Sequence, residues 1–298
     1  LAPLYRKLRL QKGQLAAITG VRERRFWHPG EPLRNGAIAA GKKALEQAGI
    51  PAEAIGMLVY CGVCRENLEP ATACAVADGI GVPADAMVYD TTNACLGVVN
   101  GMIQAANAIA LGQIDAALVV SCESAREIVE ATMARMMETP EMALFRKTLA
   151  TLTGGSGAAA VLLVRKGPGQ MKRQLLGGVV KNAVRHHELC IWGPDTGIPA
   201  TGPLVMETDA VGVLKNGVLL ATEAYREFQA LFDLGSLSPD KIVCHQVGSS
   251  HQKTLLDTLG IPAERDFTTF AFLGNIGTVS LPIDRKSTRL NSSHVSQS

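Results

Sequence analysis

The sequence predicts an α/β protein built around a mostly parallel, buried sheet. Short apolar runs alternate along the chain with segments of helical periodicity, which is the pattern of repeated strand–helix–strand units. The apolar runs are continuous rather than alternating, as in strands that are covered on both faces. With 298 residues, of which 47% are apolar and 19% charged, the chain can bury a sizeable core.

Four strands and three helices are predicted in the first part of the chain. The strands are expected at 57–60, 87–89, 116–121 and 158–164. The helices are expected at 70–79, 96–111 and 124–137. Segment 96–111 is apolar almost all round, so we predict a central helix that is buried between layers.

The second part of the chain repeats this scheme after a connection rich in glycine and proline. A long helix is expected near 210–232, a strand at 241–245 and a helix at 252–259. A strand at 268–272 and the turn to Asn275 would echo the strand and turn that lead to Cys95. We therefore predict two α/β halves, each bringing a polar group from a strand-to-helix turn to a shared midline.

The last residues of the chain differ from the rest. Segment 285–298 is a polar run with five serines, which cannot bury much apolar surface. It resembles a translated sequencing adapter joined to an interrupted reading frame. We expect 285–298 to be a non-native tail and the preceding part to be a C-terminally truncated fragment.

Charge and composition argue against two classes of partner. The formal net charge is +2, with acidic and basic residues interspersed, so we expect no basic stripe for nucleic acid. The longest apolar runs are far shorter than the roughly 20 residues of a membrane span. Seven cysteines without a regular framework, and no signal segment, indicate a reducing, cytoplasmic compartment.

Cys95 is the candidate nucleophile. It lies in TTNACLGVVNG, after a predicted strand and at the start of the predicted central helix. Free amides and the helix dipole at such a start favour a thiolate, the reactive form of cysteine. The alternative is a small buried core residue, which is the commoner role of a free cysteine.

His245 and Asn275 are the candidate polar partners. His245 ends the predicted strand KIVCH, and Asn275 lies in LGNIG, where glycines on both sides permit a tight turn. Taken alone, a histidine at a strand end is more often a satisfied polar residue. An asparagine between glycines is likewise more often part of a turn.

Together, TTNACLG, HQVGSSH and LGNIG resemble the Cys-His-Asn set of ketoacyl synthase III and its relatives in the thiolase superfamily. ITGVRERRFW also resembles a segment of that family, so the resemblance spans 1–284. It implies the duplicated thiolase fold in five layers (αβαβα), with halves at 1–170 and 171–284, and a homodimer. It further implies that Cys95 attacks an acyl-CoA thioester. His245 and Asn275 would then donate hydrogen bonds to the thioester oxygen of the second substrate as it becomes an enolate.

Glu69 narrows the resemblance to OleA-type synthases, which join two long-chain acyl-CoA molecules head to head. OleA-type chains carry a glutamate at this position, 26 residues before the nucleophile (95 minus 69), where typical ketoacyl synthase III chains have an apolar residue. A second acyl-CoA has no carboxylate to lose, so a base must remove its α-proton. The resemblance places Glu69 at the dimer interface, entering the partner's site. The alternative is that Glu69 caps the helix after Pro70.

The resemblance gives an expected reaction with open alternatives. The expected reaction is a Claisen condensation of two acyl-CoA thioesters, giving a 2-alkyl-3-oxoacyl product. A decarboxylative 3-oxoacyl-ACP synthase III acting on malonyl-ACP, a condensation like that of HMG-CoA synthase, and a non-catalytic acyl-binding paralogue are the alternatives. Coenzyme A thioesters are expected as substrates, with no permanently bound cofactor.

The sequence departs from the family in two places. The aromatic residue and arginine that stack on the CoA adenine in ketoacyl synthase III should fall just before Thr19, where this sequence reads GQLAAI. The residues that contact CoA are therefore not predicted. Family members also continue past Asp284 with a glycine-rich loop that completes the acyl oxyanion hole, and the tail replaces that segment here.

Two clusters of cysteine and histidine have the composition of metal sites. CGVC at 61–64 has zinc spacing, but no second CxxC and no paired histidines follow. HHELC at 186–190 is more typical of a surface or of a pocket lining. We therefore predict no metal site.

Overall fold

The computed structural model describes residues 2–167, 174–194, 204–234, 239–245 and 247–283. The chain divides into two compact units. The first consists of Leu1–Arg25, Ala125–Gly154 and Gly177–Asn275, and the second of Phe26–Ser124, Gly155–Leu176 and Ile276–Ser298. The halves expected at 1–170 and 171–284 remain a prediction, and the tail at 285–298 lies outside the described residues.

The second unit contains the predicted sheet. Its strands are β1 (Met57–Cys61), β2 (Met87–Thr91), β3 (Ala116–Glu123) and β4 (Gly157–Val164). They lie in the order β2-β1-β3-β4, in which β1 is parallel to both β2 and β3, and β4 is antiparallel to β3. All four predicted strands are confirmed. Every residue of β1 and β3 is buried, as their continuous apolar runs predicted.

Helices cover both faces of this sheet. Helices α3 (Leu33–Ala48) and α4 (Thr72–Ile80) pack on one face, where β1 contributes Leu58 and Tyr60. Helix α5 (Gly97–Ala110) packs on the other face, against Met57 and Val59. Alternate residues of β1 therefore pack into two different hydrophobic cores, one on each face of the sheet.

Helix α5 approaches the sheet closely and is buried on one side. A Cβ at Gly101 would lie 2.5 Å from Cys61 Sγ, so only glycine fits there. The predicted central helix, buried between layers, is covered on one side only in the single chain, because Ile103, Gln104 and Asn107 are exposed. Apolar content alone did not reveal that these positions share one helix face.

The first unit is mainly helical. Its helices are α1 (Ala2–Lys7), α2 (Gln14–Thr19), α6 (Arg126–Glu138), α7 (Met142–Leu152), α8 (Ala210–Leu231), α9 (Ser249–Leu259) and α10 (Phe270–Leu273). Strands β5 (Cys190–Pro194) and β6 (Leu204–Thr208) form an antiparallel pair. The predicted helices at 124–137, 210–232 and 252–259 are confirmed. No described helix is both long and apolar enough to cross a bilayer.

Two predicted strands of this unit are wrong. Segment 241–245 forms a single bridge, between Ile242 and Asp266, and 268–272 lies largely in α10. The Asp266 carboxylate accepts hydrogen bonds from the Cys244 amide and from Gln252 Nε2, at 3.2 and 2.8 Å. The Asp266 side chain adds these bonds to the single backbone bridge at Ile242. Because 268–272 lies largely in a helix, the predicted echo of the Cys95 strand and turn is not found.

Candidate active site

Cys95 lies in the tight turn that joins β2 to α5. Ala94 has a positive φ of 44°, which is strained for a residue with a Cβ, and the Leu96 amide donates to the Asn93 carbonyl at 2.9 Å. The half-buried Cys95 therefore sits two residues before the first helical residue, Gly97. The predicted strand-to-helix turn at Cys95 is confirmed.

Thr278 caps the helix that follows Cys95. Its hydroxyl accepts a hydrogen bond from the Val98 amide at 2.8 Å, and both residues are 1% exposed. The N-cap residue of α5, Leu96, makes no side-chain cap of its own. Thr278 follows Asn275 by three residues in the chain. Sequence reasoning missed Thr278, because a contact across 180 residues leaves no local pattern.

Burial suppresses ionisation of most other thiols. Burial raises the pKa of Cys61, Cys122 and Cys244 to about 12, and that of Cys64 further still. Cys74 and Cys190 are exposed, but neither lies at the β2–α5 turn, where Cys95 is. Among the described residues, no group of three or more His, Cys, Asp or Glu side chains could hold a metal ion.

Glu69 lies on the exposed segment between β1 and α4. The first turn of α4 is capped by Asp90, whose carboxylate accepts from the Thr72 and Ala73 amides at 2.9 and 2.8 Å. The capping role considered for Glu69 is therefore wrong.

Glu123 is a buried carboxylate in the second unit that sequence reasoning also missed. It ends β3 and is 4% exposed. Its Oε1 accepts from the Val63 amide at 3.0 Å and its Oε2 from the Cys64 amide at 3.1 Å. Burial raises the pKa of its carboxyl, although these amides oppose the shift. A single acidic residue at the end of an apolar strand has no sequence pattern that indicates a buried acceptor of two backbone amides.

His245 is a neutral imidazole at physiological pH. Burial, and then the neighbouring His251, lowers the pKa of His245 to about 4. Burial also lowers the pKa of His251, on the first turn of α9. A neutral imidazole carries one N–H and can donate a hydrogen bond to an oxygen that gains negative charge.

Asn275 lies in a turn that glycines shape, as predicted. Gly274 and Gly277 have positive φ angles of 74° and 59°, which favour glycine. The Asn275 amide donates to the Thr153 carbonyl at 2.9 Å, and Asn275 forms an isolated bridge with Gly154. The backbone of Asn275 is therefore fixed by the end of α7.

The four predicted site residues fall into two groups. Cys95 and Glu69 belong to the second unit, and His245 and Asn275 to the first. Within its unit, each residue lies on a turn or a connecting segment rather than inside a helix or a strand.

Comparison with known proteins decides the family. Residues 35–156 match the family described as thiolase, N-terminal domain. The chain is 49% identical over 290 residues to the acyl-CoA:acyl-CoA alkyltransferase of Shewanella oneidensis, covering 95% of this chain and 82% of that protein. This chain belongs to the acyl-CoA:acyl-CoA alkyltransferase family. The Xanthomonas campestris alkyltransferase is 34% identical over 285 residues, covering 95% and 81% of the two chains.

Solved structures agree with the family assignment. The alkyltransferase chain matches a cysteine-to-serine variant of Xanthomonas campestris OleA, crystallised with lauric acid and lauroyl-CoA, with a TM-score of 0.89. Identity is 32%, and the match covers 98% of this chain and 85% of that one. The expected thiolase fold and the resemblance to OleA-type enzymes are confirmed. A beta-ketoacyl-[acyl-carrier-protein] synthase III from Roseiflexus is less similar, at 29% identity over 89% of this chain and 77% of that protein.

Proposed function

We propose that this alkyltransferase joins two acyl-CoA molecules by a non-decarboxylative Claisen condensation through an acyl group on Cys95. The observation that carries the proposal is the strained turn that sets Cys95 at the start of α5, in a chain 49% identical to an acyl-CoA:acyl-CoA alkyltransferase. The products are a 2-alkyl-3-oxoacyl-CoA and free CoA. The net change is an exchange of bonds without oxidation, so the reaction needs no redox cofactor.

The first step is acylation of Cys95. Its thiolate attacks the carbonyl carbon of an acyl-CoA, and the tetrahedral intermediate collapses with loss of CoA, which takes up a proton. The dipole of α5, whose N-terminal end lies next to Cys95, favours the thiolate. The Val98 amide donates to the Thr278 hydroxyl, and this bond fixes the helix start during the attack.

The second step is condensation. Glu69 removes the α-proton of a second acyl-CoA, and His245 and Asn275 donate hydrogen bonds to the thioester oxygen of the resulting enolate. The enolate carbon attacks the acyl carbonyl, and Cys95 leaves as a thiolate. The neutral state of His245 supports its role as a hydrogen-bond donor. A neutral imidazole carries one N–H, which can donate to the enolate oxygen without transferring its proton.

The spacing of Glu69 and Cys95 supports their assignment. Crystallised variants of Xanthomonas campestris OleA replace a cysteine and a glutamate that are 26 residues apart in that protein. Glu69 and Cys95 have the same separation (95 minus 69). Since Asp90 already caps α4, the exposed Glu69 carboxylate is available to a substrate.

We further propose that the alkyltransferase works as a homodimer paired along β2 and the exposed side of α5. Strand β2 is at the edge of its sheet, so its outer backbone groups can pair with a second copy. Exposed apolar side chains lie on or next to these two elements. Met87 is 40% exposed, Leu96 53% and Ile103 36%. Leu68, beside Glu69, is 90% exposed, which fits a segment that enters the partner's site.

A cavity of about 400 Å³ in the first unit supports acyl-CoA as the substrate. It lies beside α2, the segment where the family resemblance places contacts to the CoA adenine. Apolar residues such as Leu15 and Leu152 line it, together with Arg22 and Arg24. Arginine side chains suit the phosphates of coenzyme A. The seven free cysteines are in keeping with a reducing, cytoplasmic site of action.

One experiment separates this function from the alternative that the ketoacyl synthase III relatives suggest. A single long-chain acyl-CoA is supplied with and without malonyl-ACP, and free CoA and the β-keto product are measured. We expect product without malonyl-ACP. Strict dependence on malonyl-ACP would select the decarboxylative synthase. Acyl-Cys95 that never condenses with either donor would select the acyl-binding paralogue.

A further inference from the structure

Several hydrogen bonds anchor the segment that carries Glu69, and two carboxylates take part in them. The Val63 and Cys64 amides donate to the Glu123 carboxylate. Further along, the Glu66 carboxylate accepts from the Arg34 amide at 2.9 Å and from its guanidinium at 2.6 Å. From Asn67 to Pro70 the segment is exposed. Tyr60 Oη also donates to the Cys64 carbonyl at 2.8 Å, and the Glu66 amide donates to Thr72 Oγ1 at 3.3 Å. The position of Glu69 therefore depends on these contacts together.

Glu123 is a buried anchor of this segment, with only 4% of its surface exposed. Each of its two carboxylate oxygens accepts one backbone amide, Oε1 that of Val63 at 3.0 Å and Oε2 that of Cys64 at 3.1 Å. A Cβ added at Gly277 would lie 3.4 to 3.6 Å from Cγ, Cδ and Oε1 of Glu123, so the glycine leaves space beside the carboxylate. The Glu123 carboxylate is thus committed to the segment before Glu69.

We infer that Glu123 is a positioning residue for the condensation step, which holds the segment that carries Glu69 in place through its carboxylate. The inference rests on the proposed role of Glu69. In that role, Glu69 acts in condensation rather than in acylation of Cys95. Loss of the carboxylate should therefore slow the second step selectively, a pattern that general destabilisation of the fold would not produce.

The test is Glu123→Gln in the full chain, with Glu130→Gln as a matched control on the exposed face of α6. Glutamine keeps the shape, but its NH₂ group cannot accept from the Cys64 amide. We expect acyl-Cys95 to form within about twofold of the normal rate and condensation to slow about tenfold or more, since small misplacement of reacting groups is costly. Hydrogen exchange in 62–71 should accelerate. Glu130→Gln should change none of these quantities.

Equal losses of acylation and condensation, or unchanged hydrogen exchange in 62–71, would overturn the inference. If Glu123→Gln proves unstable on heating, Glu123→Asp is judged by the same two measurements, because its shorter side chain cannot reach both amides. Glu69→Gln is measured in parallel. Normal condensation by Glu69→Gln would remove the proposed base, while the exchange of 62–71 in the Glu123 variant would still decide whether Glu123 positions that segment.

Discussion

The hydroxyl of Thr278 accepts a hydrogen bond from the backbone amide of Val98 at 2.8 Å, and this bond joins residues 180 positions apart. Val98 is the second residue of α5, the helix that begins just after Cys95. The start of the helix that follows Cys95 is therefore fixed in part from the turn that follows Asn275, far away in the chain.

Thr278→Val should weaken both the fold and acylation. The substitution leaves the Val98 amide buried without a partner, which costs about 1 to 3 kcal/mol. Thr278→Ser keeps the hydroxyl and serves as the control. Urea unfolding gives the stability change, and intact-mass measurement of acyl-Cys95 gives the acylation rate. Equal behaviour of the valine and serine variants would show that the hydroxyl does not matter.

Cys95→Ala should abolish acyl transfer. Four of the seven thiols have a pKa raised by burial, so they are poor nucleophiles at neutral pH. Cys190→Ala, which removes an exposed thiol, is the control and should acylate normally. Intact mass after incubation with acyl-CoA reports the adduct. An undiminished adduct on Cys95→Ala would place the nucleophile elsewhere.

The alkyltransferase should lose stability in acid partly through His245. Its pKa is about 4 in the folded protein, below the ordinary histidine value of 6.5, because the charged form is buried. In the unfolded chain the imidazole takes up its proton near pH 6.5, whereas the folded protein resists protonation until about pH 4. Stability is therefore full above pH 6.5 and falls as the pH drops through this window.

NMR of the histidine side chains tests this directly. With carbon-13-labelled histidine, the His245 signal should stay at its neutral position from pH 7.5 to 5.5, and His245→Asn identifies the signal by its loss. Each protein's stability at pH 7 serves as its own reference. From that reference, the asparagine variant should lose less stability in acid than the unchanged protein does. Titration of the His245 signal near pH 6.5 would contradict a desolvated imidazole.

Mixed dimers should show whether Glu69 serves the partner's site. Glu69→Gln homodimers should acylate Cys95 but condense poorly, because only the second step needs a base. In mixed dimers of Cys95→Ala and Glu69→Gln chains, one site combines an intact Cys95 with an intact Glu69 from the other chain. Condensation should then recover in proportion to the mixed species. No recovery on mixing would place Glu69 in the site of its own chain.

Local chemistry explains why parts of this structure could be predicted. Strands β1 and β3 have continuous apolar runs, and the turn before α5 and the glycines around Asn275 have clear residue signatures. Segments 241–245 and 268–272 carry similar apolar runs, yet the side chain of Asp266 and helix α10 decide their structure. The contacts of Thr278 and Glu123 join distant positions, so no window of sequence could reveal them.

The absence of a side chain at Gly101 has an evolutionary consequence. A Cβ there would lie 2.5 Å from Cys61 Sγ and 2.9 Å from Val119, so growth at position 101 requires loss of volume in β1 or β3. The side-chain volumes at these positions should therefore change together among relatives rather than independently. Cys61 would then matter for its size rather than for the reactivity of its thiol. Its size sets how closely α5, the helix that follows Cys95, can approach the sheet.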